Sequence, residues 1–391
     1  MSPISRRAAL LGLLSAGLSA CSQPKPLPPV PSPTPTPTPT PSPTPPSAGP
    51  VASPSPSPSV APRPQWPLTG RPLKNPKKAR HAAVAVKVPD NRYEHPQGGI
   101  AEADIVFVEL DGYRDASGHS GTRLVPVYHS RLPETVLPVR SIRPVDIPLL
   151  SPMNALIGNT GAVDWVIKYV QHHRAHLEGM LSYLNTVGTG SYGTDPARVY
   201  TFNGQKYYDR ATTCHPKVLA RQTKRFRSGP PQPYFPFAAT AKEVSAVSGK
   251  RGRSIKVPYK GDDYFMGYTY DKKTKRYLRS MPWGPHLLTD GTRVSTDNVL
   301  VIKAKQSYGK IFRGRGGVDP LHDIITARGT FYYFNRGRYV TGSWRKGKVA
   351  EPFTFSLADG SPFQMAQGQT FVELPDTRAK VRIGSKVRIG G

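Results

Sequence analysis

Between residues 100 and 220 the chain gathers acids and bases that could form a polar cleft: Glu102, Asp104, Glu109, Arg123, Arg140, Arg143 and His215. Two carboxylates at a suitable separation can act as acid and base on a glycosidic bond. Glu102 and Asp104 are two apart, so on a strand they face the same side and Glu109 faces the other. These three and His215 are the catalytic candidates. The plainer reading is that the carboxylates pair with the arginines as a structural network, and it is favoured because nothing fixes a nucleophile or a distance. Arg123, Arg140 and Arg143 are the ligand-binding candidates. Arg140 and Arg143 are three apart, and their guanidinium forks can clamp a phosphate or a carboxylate.

Other chemical readings are weaker. His172 and His176 share a face if that segment is helical, but no acid completes a metalloprotease pattern. A solvated helix end is expected there, and no metal. Cys214 beside His215 resembles a thiol–imidazole pair only in sequence, since neighbours on a strand point apart, so a buried, inert Cys is expected. Arg313–Gly317 is glycine-rich but lacks a following Lys-Ser/Thr, which predicts a loop and no cofactor.

The elements that must position these groups follow from periodicity. Ala82–Val88, Glu102–Leu110 and Leu124–Tyr128 read as strands, the last at an edge because Pro126 lacks an N–H. Apolar residues from Val163 to Leu184 recur near a 3.6-residue period, predicting one or two helices. Pro230–Pro236 reads as an interdomain boundary. Beyond it the pattern is strand-rich: Ser254–Tyr259, Met266–Tyr270, Arg276–Arg279, Val299–Lys303, Thr330–Phe334, Tyr339–Trp344, Phe353–Leu357 and Thr370–Leu374, with hairpin turns at Asn335–Gly337 and Asp359–Gly360.

The 391 residues hold 44 Pro and 2 Cys, so a disulfide scaffold and a four-thiolate zinc site are excluded. Of the prolines, 19 fall between Ser22 and Trp66. There they alternate with Thr and Ser from Pro33 to Pro46, and so few apolar side chains remain that a disordered, extended spacer is expected. Residues 1–66 carry four bases and no acids, leaving a net charge of +25 on residues 67–391. Such a surface attracts polyanions. Nucleic acid is not the expected partner, because an export signal precedes it and no zinc-finger or RNP-like motif appears.

That signal is Met1–Cys21. Arg6 and Arg7 precede a short apolar stretch that is too short to span a bilayer. It ends in Leu18-Ser-Ala-Cys21, which resembles the bacterial lipobox and makes Cys21 the expected lipidation site.

Several segments together carry a family resemblance: Pro67–Gly70, Pro96–Val106, Gly121–Arg123, Pro138–Arg143 (Pro-Val-Arg-Ser-Ile-Arg), Tyr339–Trp344 and Gly368–Leu374. Across roughly residues 67–376 the chain resembles the YerB-like lipoproteins, catalogued as a domain of unknown function in N-terminal and C-terminal parts. The resemblance implies an anchored, extracytoplasmic protein and brings no settled activity. Two departures stand out. Asp111–Gly121 is longer and less regular than the acidic, glycine-rich segment of that family, and Cys214 falls where members often show His-Asn.

The expected organisation is a signal segment (1–21), a Pro-rich spacer (22–66), an N-terminal mixed α/β domain (67–235), a C-terminal strand-rich domain (236–376) and a basic tail (377–391), a frayed end or a weak electrostatic tether. The fold class is α+β in two domains. The expected role is a lipid-anchored module on the extracytoplasmic face of the cell membrane. It binds an anionic wall polymer or a peptidoglycan-synthesis protein. The alternative is an envelope hydrolase acting on glycan or peptide bonds.

Overall fold

The computed structural model describes residues 64–114, 120–260, 263–312 and 315–386. The signal segment, Cys21, most of the spacer and the end of the tail lie outside the described residues. Among the described residues, no helix is long and apolar enough to cross a membrane.

The strands that matter here are β1 (Val84–Val86), β2 (Val88–Pro89), β3 (Ile105–Arg114), β4 (Ser120–Tyr128) and β5 (Leu156–Gly158), then β6 (Ser254–Lys260), β7 (Tyr264–Asp271), β8 (Arg276–Met281) and β9 (Asn298–Ile302). They continue as β10 (Ala327–Asn335), β11 (Arg338–Lys346), β12 (Phe353–Leu357), β13 (Thr370–Glu373) and β14 (Arg382–Gly384). One large mixed sheet runs β11-β10-β9-β13-β3-β4-β1-β5, with Lys250–Arg251 and β12 beside β11 and β2 beside β4. A second, antiparallel sheet runs β8-β7-β6-β14.

The central strands of the large sheet, such as β9, β13, β1 and β5, are buried on both faces and read as nearly continuous apolar runs. Along β3, Ile105 and Phe107 enter one core cluster while Val106 and Val108 enter the other. This alternation is the two-residue period of a strand. The first cluster packs under helices α1 (Asp146–Leu150) and α2 (Asp164–His172) and under loops carrying Tyr234 and Phe363. The second packs against Val257, Met266 and Tyr268 of the second sheet. Burying each such side chain contributes about 1.5–3 kcal/mol.

Several expectations meet the structure here. First, the N-terminal and C-terminal parts share one sheet, since β13 pairs in parallel with both β9 and β3. Residues 230–236, expected between the two parts, carry Tyr234 and Phe235 into the core, where the Tyr234 hydroxyl donates to Leu149 O. Second, β4 is interior despite Pro126. Val127 O accepts from Asp104 N on the β3 side, so the proline nitrogen faces the other neighbour, at the break between β1 and β2. No ladder donor is missed there. Third, of the one or two helices predicted from Val163 to Leu184, one forms, α2, and it ends at His172; beyond it Glu178 bonds with Ala155 and Ile157 beside β5. Fourth, the tail does not fray from residue 377 onward: β14 pairs with β6.

The hairpin between β10 and β11 turns as expected through Arg336 and Gly337, whose φ values of 47° and 75° suit a two-residue turn. Arg315–Gly317, expected in a loop, lie at the start of a strand, Arg315–His322, paired with Gln306–Phe312.

Candidate active cleft and its charged floor

On the helix-facing side of the large sheet, β3 and β4 change character toward one end. Phe107 and Val125 are core, while Glu109 and Arg123 oppose each other one pair further on. Beyond them lie Asp111 and Gly121. Here the sheet opens into a cleft of about 1460 Å³. The turn after β2 supplies Asn91, Arg92, Tyr93 and Glu94. The Pro138–Arg143 segment supplies Arg140 and Ser141, a later loop Tyr208, Asp209 and Arg210, and the second-sheet region Tyr264 and Trp283.

Carboxylates hold two of the arginines that line this cleft, Arg123 and Arg140. Arg140 donates through Nε to Glu94 Oε1 at 2.7 Å and through a terminal nitrogen to Asp209 at 3.0 Å. Arg123 pairs with Asp111 and donates to Ser141 O at 2.7 Å. Arg143 stands behind them and reaches the same Asp111 at 3.1 Å. Burial would raise the Asp111 carboxyl, but Arg123 and Arg143 overcome it and hold the group below its ordinary range. Burial pushes the Arg123 guanidinium down to about 10 against the pull of Asp111. Arg140 and Arg143 therefore serve two different carboxylates and do not form the single fork that their spacing predicts.

Beneath this layer, Lys87 lies between Glu109 and Asp146, all three side chains fully buried. Asp146 also accepts from the Arg143 amide at 2.6 Å, and Arg140 N donates to Lys87 O at 2.9 Å. The floor of the cleft is thus tied by backbone and side chain to the segment carrying both arginines. Burial pushes the Lys87 ammonium down to about 7.

The expected catalytic carboxylates do not converge. Glu102 ends a 3₁₀ turn and pairs with Arg131 at 3.1 Å on the surface. Asp104 is buried at the far end of β3, accepting from the amides of His129 at 2.7 Å and Ser130 at 2.6 Å. Burial raises its carboxyl against those bonds. Glu102 and Asp104 do not lie on β3, so the shared face that their spacing predicts does not form. Glu109 sits under the cleft with Lys87. His215 caps a four-residue helix away from the cleft and meets Thr135 at 3.2 Å. Cys214 is buried, and burial pushes its thiol up. His172 closes α2.

Among the described residues, one group of side chains is spaced for a metal ion: Asp90, His95 and His286. A cation already stands there. Arg279 reaches Asp90 at 2.7 Å and His286 Nδ1 at 2.6 Å, and His286 Nε2 meets Gln97 Oε1 at 2.8 Å. Burial would raise the Asp90 carboxyl, yet Arg279 and His95 hold it well below its ordinary range.

The sequence reading missed Tyr93, Glu94, Tyr208, Asp209, Arg210 and Trp283. One signal was present: Tyr207–Arg210 sets aromatic residues directly beside both charges. Gly121 shows how tight the cleft wall is. A Cβ there would stand 1.4 Å from Asn91 Oδ1, and Asn91 donates to Glu94 at 3.0 Å and Asp111 at 3.2 Å. Gly121→Ala is expected to displace Asn91 and cost about 1–3 kcal/mol, read as a lower urea midpoint. An unchanged midpoint would show that Asn91 links nothing essential.

The profile described as "Protein of unknown function (DUF3048) N-terminal domain" matches residues 68–212, and its C-terminal counterpart matches residues 255–372. The chain belongs to this YerB-like family. A Bacillus subtilis (strain 168) protein named "Putative lipoprotein YerB" is 25% identical over 324 residues, covering 80% of this chain and 87% of that protein. The crystal structure of YerB protein from Bacillus subtilis matches with a TM-score of 0.64 at 20% identity, covering 82% of this chain and 100% of that one. The fold is therefore shared. In this YerB-like chain the cleft draws on both family regions, since Tyr264 and Trp283 lie in the C-terminal one and the other lining residues lie in the N-terminal one.

Proposed function

We propose that this is an exported protein, lipid-anchored through Cys21 on the extracytoplasmic face of the cell membrane. In this reading it is a binding or scaffolding module for an anionic component of the cell wall or for a peptidoglycan-synthesis protein. The spacer holds the folded part away from the membrane, and the cleft takes the ligand. The anchor is supported by the signal-and-lipobox pattern of residues 1–21 and by the name of the Bacillus relative.

The observation that carries the binding role is the cleft itself, in which Arg123 and Arg140 are held by carboxylates. Pre-set guanidinium groups bind an anionic group with little loss of side-chain freedom. Binding is favoured over hydrolysis because Glu102, Asp104 and Glu109 are separated, on the surface, at the far end of β3 and beneath the cleft.

The test is cosedimentation of the full-length protein with purified bacterial cell walls. The bound fraction is expected to fall as salt rises, because the screening length shrinks from about 10 Å at 0.1 M to about 3 Å at 1 M. Arg140→Gln is expected to weaken binding at least tenfold, about 1.4 kcal/mol, with the far-UV circular dichroism retained. Equal binding by folded Arg140→Gln, or salt-independent binding, would overturn the reading. Soluble sugar or peptide released from the walls would move the protein to the hydrolases.

A further inference from the structure

The charge balance of the cleft narrows its ligand. Four guanidinium groups line it, those of Arg92, Arg123, Arg140 and Arg210, against the carboxylates of Glu94, Asp111 and Asp209. One positive charge is left over. Adding Arg143 and the Lys87–Glu109–Asp146 group beneath leaves the surplus at one. A polymer with a phosphate at every repeat needs an uncompensated basic groove, and three carboxylates in the wall repel it. A ligand with isolated negative charges separated by neutral, hydroxyl-rich stretches fits instead. The carboxylates of Glu94 and Asp209 can accept from sugar hydroxyls, since a carboxylate oxygen takes more than one donor.

Because Arg140 takes both Glu94 and Asp209, two of these arginines have no carboxylate partner among the described residues: Arg92, which is exposed, and Arg210. Arg210 is the better placed to receive a ligand. Its guanidinium lies over two rings, 4.3 Å from the centre of Tyr200 and 5.4 Å from that of Tyr93. Stacking fixes the plane of the guanidinium and leaves its N–H edge available. Beside it, Tyr93 is 75% exposed and Tyr208 is 54% exposed. Large aromatic rings left open to a cleft mark a ligand surface. Neither ring has a core to fill, and both stand where the C–H face of a pyranose can lie flat. The volume, about 1460 Å³, exceeds the roughly 300–1,000 Å³ of a small-molecule site. A segment of chain therefore fits better than a single sugar.

We infer that the cleft takes a segment of a carboxylate-bearing glycan, with Arg210 receiving the carboxylate and Tyr93 and Tyr208 receiving sugar faces. This deepens the wall-binding reading above and rests on it. Two sources share that chemistry: the lactyl and peptide carboxylates of peptidoglycan, and the uronic acids of acidic polysaccharides.

The experiment is calorimetric titration of the full-length protein with four probes. These are muramidase-released peptidoglycan fragments, the same fragments with their carboxyls amidated, an oligouronate and a poly(glycerol phosphate) of matched length. At least one carboxylate glycan is expected to bind, and which one identifies the source. The phosphate polymer is expected to bind at least tenfold more weakly, as are the amidated fragments if peptidoglycan is the source. Arg210→Gln and Tyr93→Ala change surface residues and are each expected to weaken binding at least tenfold with circular dichroism unchanged. The inference is overturned if neither carboxylate glycan binds, if the phosphate polymer binds as tightly as the better of them, or if both variants bind like the unsubstituted protein. Should walls sediment with the protein while the glycan probes fail, only this inference falls. Should walls not sediment with it at all, the binding reading falls first.

Discussion

Lys87→Met is expected to be the most damaging single substitution in this protein. It removes the cation between two fully buried carboxylates, Glu109 and Asp146, while filling nearly the same volume. Breaking a buried pair by deleting one partner costs about 3–5 kcal/mol, because the charge left behind has neither water nor a counter-charge. Glu109 is poorly provided for already, since its Oε2 has no hydrogen-bond partner among the described residues. Asp146 keeps the Arg143 amide. Lys87→Met combined with Glu109→Gln should therefore recover part of the loss, a coupling that a double-mutant cycle measures. Urea unfolding of the single and double variants is the check. A single variant with an unchanged midpoint, or a double variant no better than the single, would mean that the charges are not coupled as drawn. The same substitution should also loosen the cleft, because Arg140 and Arg143 are both fastened to this group through backbone bonds.

The second large effect is a pH dependence centred on Glu373. This residue is buried on β13, where the second sheet covers it. Tyr268 donates to one of its oxygens, and the Tyr259 hydroxyl lies 2.8 Å from the other. The same Tyr259 hydroxyl also lies 2.8 Å from Val108 O and accepts from Leu374 N at 2.9 Å. One hydroxyl proton cannot serve two acceptors. A proton on Glu373 resolves this: the carboxyl donates to Tyr259, and Tyr259 donates to Val108 O. Burial, opposed by Arg279 and the two tyrosines, accordingly pushes the Glu373 carboxyl up from 4.5 to about 7.

Because the folded value is raised, the native state binds more protons than the unfolded chain between those values. The contribution of Glu373 is fully present below about pH 4.5 and is lost as pH rises through about 7. Its full size is about 3 kcal/mol, at about 1.4 kcal/mol per pH unit of displacement. Glu373→Gln should be nearly neutral at pH 4.5 and increasingly stabilising toward pH 8, since an amide N–H can donate to Tyr259 while its oxygen accepts from Tyr268. The measurement is the difference in urea midpoint between the variant and the unsubstituted protein across that range. A difference that does not change with pH would show Glu373 to be ionised in the native state.

Much of the C-terminal part was legible residue by residue. β6, β8, β9, β10, β11, β12 and β13 fall where alternation and β-branched or aromatic residues place them, because a strand packed in a sheet prints its period directly onto the chain. The turn at Arg336–Gly337 was legible because positive φ selects few residues. The N-terminal part was harder. Pro126 pointed to an edge, and only the break between β1 and β2 shows why an interior strand tolerates it. The apolar spacing from Val163 to Leu184 matched a helix on both sides of His172, but past that point Glu178 and its neighbours pair beside β5.

The residues themselves determined the proline-rich composition of residues 22–66, the surplus of positive charge, most strands, and Arg123, Arg140 and Arg143 at and behind the cleft. They did so because these are local or compositional properties. Which carboxylate each arginine meets was decided only by the tertiary structure. Glu94, Asp111 and Asp209 come from a turn, a strand and a loop far apart in the chain, and no spacing records their meeting. The same holds for the parallel seam of β13 between β9 and β3. A contact between distant segments leaves no period in either of them, so the cleft that spans both halves of the chain exists only once the sheet has closed.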